Sequence, residues 1–286
     1  MTTVGCVVLT MGTRPESLAR AVGSVLAQDG IGLDVVVVGN GWEPTGLPAG
    51  VRPVALPENL GTAAGRNAGV PHVSGEFLLF LDDDAALAAP DFLARATRLM
   101  TAEPSIGVVQ PRPVDPVTGD TPRSFIPRLR VGDPARSSDL AALWEGAVVI
   151  RRATFERSGG WPEQYGYQHE GIELAWRTVD AGYRVRYVGD LHAFHDAVVP
   201  GRIPTYYRLQ GRNRIWLARR NLPVPLGIAY VLTWVAITLA RARSIEVARQ
   251  SLRGWLDGLR QPCGGRRRIS WMAAWRMTRA GRPPVI

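Results

Sequence analysis

Short apolar runs alternate with amphipathic stretches over the first 110 residues. Residues 4–10 (VGCVVLT) form a continuous apolar run and read as a buried strand. Polar Thr13–Glu16 follow, and then Leu18, Val22, Val25 and Leu26 fall at helical spacing. Val35–Val38 is a second strand, closed by the turn signal Gly39-Asn40-Gly41. Val51–Leu56 is a third, and Ala63–Val70 reads as a helix. Glu76–Leu81 (EFLLFL) is a strand that ends abruptly in Asp82-Asp83-Asp84, followed by a helix over Pro90–Leu99 and a strand over Ile106–Val109. Strands apolar on both faces, alternating with helices, predict a parallel α/β sheet covered on both sides. Such sheets bind ligands beyond the carboxyl ends of their strands, and the three aspartates sit at one of those ends.

Residues 111–139 are rich in Pro, Arg, Asp and Ser with weak periodicity, and read as a long surface loop of the kind that serves as an active-site flap. Regular pattern resumes with Glu145–Arg151, a short helix over Thr154–Ser158 closed by Gly159-Gly160, a helix over Glu170–Ala181 and a strand over Tyr183–Val188. The tail has another character. Arg202–Arg220 sets Tyr206, Tyr207, Ile215, Trp216 and Leu217 among six arginines. Asn221–Ala240 is twenty residues without a charge, bracketed by Arg219-Arg220 and by Arg241 and Arg243, and Ile245–Leu259 is again amphipathic. Twenty apolar residues reach the length of a membrane span, but Pro223, Pro225, Gly227, Thr233 and Thr238 dilute them. A helix lying on a membrane, a true span and a buried core helix all remain open, the first favoured by the arginines and aromatics. Two units are expected, residues 1–200 and a helical extension over 201–286.

Charge sharpens this division. The net charge is +9, yet residues 1–199 hold 17 Arg against 23 acidic residues (17 − 23 = −6), and residues 200–286 hold 17 Arg against Glu246 and Asp257 (17 − 2 = +15). There is no lysine. The basic third should face something anionic, such as lipid head groups. Nucleic acid is disfavoured, because the larger part is acidic and no DNA- or RNA-binding motif is present. Two cysteines, Cys6 and Cys263, exclude a disulfide scaffold and a four-thiolate zinc site. The N-terminus lacks a basic start and a long apolar run, so no signal peptide is read and a cytoplasmic location is expected.

Three adjacent carboxylates repel one another, and a divalent cation would relieve them, since magnesium and manganese take oxygen ligands and bridge to phosphates. In an extended segment Asp82 and Asp84 would project to one side. A solvated acidic turn, or Asp84 capping a helix, is the plainer reading. His195 follows a strand and could return to the same sheet edge as a third ligand. Glu170 is the preferred general base; Glu173, one turn on, suits an i,i+4 pair with Arg177. The glycines of residues 59–69, Gly61 among them, permit close backbone approach, and Arg66 could meet a diphosphate. The pattern is not a P-loop.

In order and spacing, LTMGTRPESLARAVGSVLAQ (9–28), ENLGTAAGRNAGV (58–70), FLLFLDDDAAL (77–87), WEGAVVIRRATFERSGGWPEQYG (144–166) and HEGIELAWRTVDAGYRVRYVGDLHAFH (169–195) resemble family 2 glycosyltransferases of the GT-A fold. The resemblance covers about residues 4–220. It implies a GT-A type, mostly parallel sheet flanked by helices, with a C-terminal basic and apolar helical extension. It places the nucleotide of a sugar donor near Thr10, Arg14, Pro15 and Asn40, with Gly61, Arg66, Asp82 and Asp83 among the donor contacts. Asp82 and Asp84 match the Asp-x-Asp that holds Mn2+ or Mg2+ and the diphosphate, and His195 matches the histidine that completes the metal site. Trp161 falls in a segment lining the sugar or acceptor site; plain packing is the alternative. Two positions depart. Gly171 stands where an acidic residue commonly acts as base, which shifts that role to Glu170 or His169. Gly39 stands where many relatives carry an aspartate that meets the nucleotide base.

The implied reaction is inverting transfer from a UDP- or dTDP-sugar to a hydroxyl of a lipid-linked or cell-envelope glycan, or of a small molecule, at the inner face of the plasma membrane. The alternatives are a nucleotidyltransferase-like or degenerate GT-A protein and a membrane-surface binding protein. The sequence leaves the oligomeric state open, a homodimer included.

Overall fold

The structure is a computed structural model that describes residues 2–195, 205–242 and 244–286. Arg202 and Arg243, which figured in the charge pattern of the tail, lie outside the described residues. The elements are β1 (Thr3–Thr10), α1 (Pro15–Leu26), β2 (Gly32–Asn40), β3 (Val51–Leu56), α2 (Thr62–Gly69), β4 (Phe77–Asp82), β5 (Ala85–Leu87), α3 (Phe92–Ala102), β6 (Ile106–Val114), β7 (Ser138–Leu140), β8 (Ala147–Arg151), α4 (Arg152–Ser158), α5 (Glu170–Asp180) and β9 (Arg184–His195). Four helices follow: α6 (Tyr206–Asn221), α7 (Val224–Arg241), α8 (Ile245–Arg260) and α9 (Trp271–Arg279).

The strands form one mixed sheet in the order β3-β2-β1-β4-β8-β6-β9-β5, with β7 on β9. Strands β1 to β4, β6 and β9 run one way; β8 is inserted antiparallel between β4 and β6, and β5 and β7 lie antiparallel to β9. The period-two alternation of the strands divides their side chains between two cores. Val7, Leu9, Val36, Val38, Leu78 and Phe80 face α2, α5 and the C-terminal helices. Val4, Cys6, Val8, Val35, Val37 and Leu79 face α1 and α3. Burial on both faces is why these strands read as unbroken apolar runs. Gly65 lets α2 lie against β1: a Cβ there would come within 2.5 Å of Leu9.

Three elements run beyond the sequence pattern. β6 continues through Pro111 and Pro113 to Val114, tolerating proline at a register shift against β9 between Pro111 and Arg112. β9 does not stop at Val188 but reaches His195, and short β5 follows the aspartates. The loop after β6 carries Phe125, whose ring stands edge-on to His195 at 5.1 Å.

The C-terminal helices share the first core. Trp216, Leu217, Tyr230, Ala273 and Met277 are buried with Leu174 and Trp176 of α5. The uncharged stretch is broken at Pro223, so it splits between α6 and α7. α7 is long and apolar enough to cross a membrane, and Tyr230 is its one buried residue. The buried-core reading of this segment therefore does not hold. Val224, Ile228, Leu232 and Leu239 are exposed on α7.

α5 and α6 are joined by a buried charge network. Glu173 is fully buried and accepts from Arg220 Nε and Nη2 (3.0 and 2.8 Å to the nearest oxygens), from Asn221 Nδ2 (2.6 Å), and from Tyr165 Oη. It also pairs with Arg177 one turn on, as the spacing predicts. Burial raises the Glu173 carboxyl, but Arg220 and Arg177 outweigh it and hold it below its ordinary value. The stabilisation is therefore present at neutral pH and is lost as pH falls through the folded-state pKa. Replacing Glu173 by Ala leaves Arg220 buried without its counter-charge, and should cost about 3–5 kcal/mol in a denaturant melt. A loss under about 1 kcal/mol would mean that the network contributes little.

Candidate active site

The carboxyl ends of β1 and β4, the amino end of β8 and the far end of β9 meet at one edge of the sheet. The chain turns at Asp83 and Asp84 instead of staying extended, so the three aspartates face different partners. Asp82 accepts from Arg66 Nη2 at 2.6 Å. Asp83 turns back into the fold, accepting from Thr10 Oγ1 and from Arg14 Nη2, both at 2.6 Å. Asp84 pairs with Arg14 and has His195 Nε2 at 3.4 Å from Oδ1. The β5–β9 pairing, which sets Ala85 opposite His195, carries the histidine there. Its ring is gripped edge-on by Phe125 and Trp144.

These partners separate the carboxyl groups electrostatically. Burial alone would raise Asp84, but the His195 hydrogen bond and charge, with Arg14, bring it down to about 2. Asp83 ends above its ordinary value, because its burial exceeds the help from Thr10 and Arg14.

Several expected donor contacts have other occupations. Thr10 is committed to Asp83. Asn40 is buried; its amide nitrogen donates to Asn59 Oδ1 and Gly61 O, and its oxygen accepts from Leu60 N, tying β2 to the loop before α2. Gly61 starts α2 at φ +87°, a backbone shape that glycine alone takes readily. Pro15 opens α1, where its missing N–H costs nothing. Arg66, expected to meet a diphosphate, is presented inward by α2, 2% exposed, between Asp82 and Glu145 Oε2 (3.2 Å). Trp161 likewise lines no open surface; it is buried, edge-on to Phe80, with the Arg66 guanidinium 4.7 Å over its ring. The packing reading of Trp161 is the one this placement matches.

The acidic side of the site lies at the start of α5. Glu170 is 2% exposed and accepts from Thr62 Oγ1 at 2.6 Å. Gln168 and His169 precede it in left-handed conformations, at φ +68° and +74°. Such backbone is strained for non-glycine residues, and α6 holds it: Asn213 Nδ2 donates to the carbonyls of Tyr167 and Gln168, and Arg212 Nη2 to that of Tyr165. Burial lowers the His169 imidazole well below its ordinary value, so it is neutral at physiological pH. Glu145 was not singled out in the sequence. It precedes β8 and accepts from Gly171 N at 2.6 Å and from Arg66. Burial, then the Glu170 charge, raises its carboxyl, and Arg66 opposes them. Its only signal in the sequence is a carboxylate at the head of an apolar strand.

A carboxylate–imidazole pair suits a hard divalent cation. Among the described residues no three His, Cys, Asp or Glu side chains converge on one point; Asp84 and His195 do approach each other, while Asp82 is drawn away by Arg66.

The family profile described as "Glycosyl transferase family 2" matches residues 6–159. The pre-mycofactocin glycosyltransferase of two Mycobacterium tuberculosis strains is 26% identical over 229 residues, 75% of this chain and 44% of the relative. The chain thus spans less than half the length of those curated relatives. Among solved structures, the mannosyltransferase PcManGT of Pyrobaculum calidifontis, in complex with GDP-Man and Mn2+, shares 19% identity at TM-score 0.56, covering 97% of this chain and 72% of that one. GalNAc-T7 with UDP, GalNAc and Mn2+ shares 15% at TM-score 0.63, covering 88% and 54%. S. aureus TarS 1-349 with UDP-GlcNAc shares 14% at TM-score 0.61, covering 90% and 81%. These structural likenesses show the GT-A type of fold. With the profile matching more than half of its length, the chain belongs to glycosyl transferase family 2.

Proposed function

We propose that this chain is a metal-dependent, inverting glycosyltransferase that moves a sugar from a nucleoside-diphosphate donor to an acceptor hydroxyl. The observation that carries this reading is the gathering of Asp83, Asp84, His195 and Arg14 at the sheet edge where α/β proteins bind ligands, in a member of this family. A UDP- or dTDP-sugar is the donor we favour. The solved neighbours were captured with GDP-Man, UDP or UDP-GlcNAc, two of them with Mn2+.

Asp84 and His195, with Asp82, would hold Mn2+ or Mg2+. When bound, the ion supplies positive charge against the leaving diphosphate. Arg14 is half exposed beside Asp83 and Asp84 and has donors to offer a phosphate. Arg66 balances the charge of the carboxylates beneath. A carboxylate of the Glu145–Glu170 pair takes the acceptor proton, the acceptor oxygen attacks the anomeric carbon, and the nucleoside diphosphate leaves from the opposite face with the bonding electrons.

The exposed apolar side of α7 and the surrounding arginines support an acceptor met at an anionic membrane surface, a lipid-linked or cell-envelope glycan, with the protein on the cytoplasmic face. A small-molecule acceptor would leave that apolar side without a role.

Two measurements test this reading. In a thermal-shift panel of UDP, dTDP, GDP and CMP with and without Mn2+, one nucleotide should raise the melting temperature in a Mn2+-dependent way. Asp84→Ala should remove the Mn2+-dependent part. A well-folded sample that responds to none of the four overturns the proposal. Ile228→Asp with Leu232→Asp should abolish most pelleting with phosphatidylserine-rich vesicles while leaving the nucleotide shift intact. Unchanged pelleting would remove α7 from the membrane argument.

A further inference from the structure

The second residue of α5, next to Glu170, is Gly171 and has no side chain, and another part of the chain fills the gap. A Cβ built on Gly171 would stand 2.5 Å from Glu145 Oε1, 2.7 Å from its Cγ and 2.9 Å from its Cδ. The Glu145 carboxyl group therefore occupies the volume that a side chain at Gly171 would take. It is fixed there on two sides, by Gly171 N on Oε1 and by Arg66 Nη1 on Oε2.

The two glutamates of the pair differ in access. Glu145 is partly exposed, its side chain 21% accessible, whereas the whole Glu170 residue is buried, with one oxygen on Thr62 and the other enclosed. A general base has to come within hydrogen-bond reach of the hydroxyl it deprotonates. An acceptor arriving from solvent meets Glu145 first, and meets Glu170 only after the site has opened.

We infer that Glu145 is the general base of this enzyme, set before β8 instead of on α5, and that Gly171 is small because Glu145 needs its space. This inference rests on the proposed transferase reading. The acceptor O–H bond breaks, its proton passes to Glu145, the oxygen bonds the anomeric carbon, and the bond from that carbon to the diphosphate oxygen breaks with its electrons leaving on the diphosphate. Glu170, behind it, is a positioning residue: its charge acts on Glu145, and its contact to Thr62 ties α5 to α2. Burial, then the Glu170 charge, raises the Glu145 carboxyl against the pull of Arg66, so the charged form that takes a proton from a hydroxyl fills as pH rises through the raised folded-state pKa.

The test uses the full chain with Mn2+ and UDP-glucose, UDP-GlcNAc, dTDP-glucose and GDP-mannose as probes, reading release of nucleoside diphosphate with water as acceptor. On whichever donor the native protein turns over, Glu145→Gln should lower kcat by about 100-fold or more. Its Mn2+-dependent nucleotide thermal shift should stay, showing that fold and donor site persist. Glu170→Gln should lower kcat by less than Glu145→Gln does. The double variant Glu145→Gly with Gly171→Asp puts a carboxylate back into the same volume from α5. It should recover about tenfold over Glu145→Gly alone, a gain that a merely structural role for Glu145 would not produce. A Glu145→Gln protein with native kcat, or a double variant with no gain, overturns the inference while the transferase reading stands. A native protein that neither binds nucleotide nor releases diphosphate overturns the transferase reading itself.

Discussion

Burying Arg66 under the sheet end, where Asp82 and Glu145 meet Glu170 of α5, sets one permanent positive charge among three carboxyl groups, where water screens poorly. Two of them bond it directly, and the charge of Glu170 reaches it as well. Trp161 lies against its face and prevents the guanidinium from turning away. The arrangement explains why a residue typed for phosphate recognition is withheld from solvent. Without it, β4, β8 and α5 would bring like charges together with nothing to offset them.

The same logic organises the triple aspartate. A turn at Asp83–Asp84 distributes the three carboxylates between Arg66 on one side and Arg14 with His195 on the other. Arginine relieves the repulsion that first suggested a cation, and it does so without closing the site. Arg14 is half exposed, and Asp84 keeps an imidazole for company, a pair that fits a hard cation between protein and phosphate.

The C-terminal helices belong to the same construction. α6 supplies Asn213 and Arg212, which hold the strained turn before Glu170, Arg220, which neutralises Glu173 one turn further along α5, and Asn221, which donates a hydrogen bond to it. Part of the tail's positive charge is therefore spent inside the molecule, on carbonyls and on one buried carboxylate. Arg214 stacks on Trp234 in the same way, 3.4 Å from the ring centre. Exposed arginines such as Arg253, Arg260, Arg266 and Arg268, with the outward apolar residues of α7 and α8, give the described part of the tail a basic, apolar exterior.

Local pattern alone determined much of this protein. Apolar runs with strand length, buried on both faces, announced β1, β2, β4 and β8; helical spacing announced α1, α3 and α5; and the break after Leu81 marked the sheet end where the candidate site lies. Each of these depends on neighbours in sequence, where periodicity carries the information. The i,i+4 pair of Glu173 and Arg177 was legible for the same reason. Tertiary structure decided what depends on residues far apart in the chain. Proline hid the continuation of β6, because a register shift against β9 was needed to accommodate it. Whether Arg66 faced phosphate or core, and whether Trp161 lined a cleft or packed beneath one, turned on which face of α2 met β1. Most of all, the meeting of Glu145 with Gly171, 26 residues apart, has no trace in either local pattern. A missing side chain and a distant carboxylate become one feature only when β8 and α5 are packed against the same guanidinium.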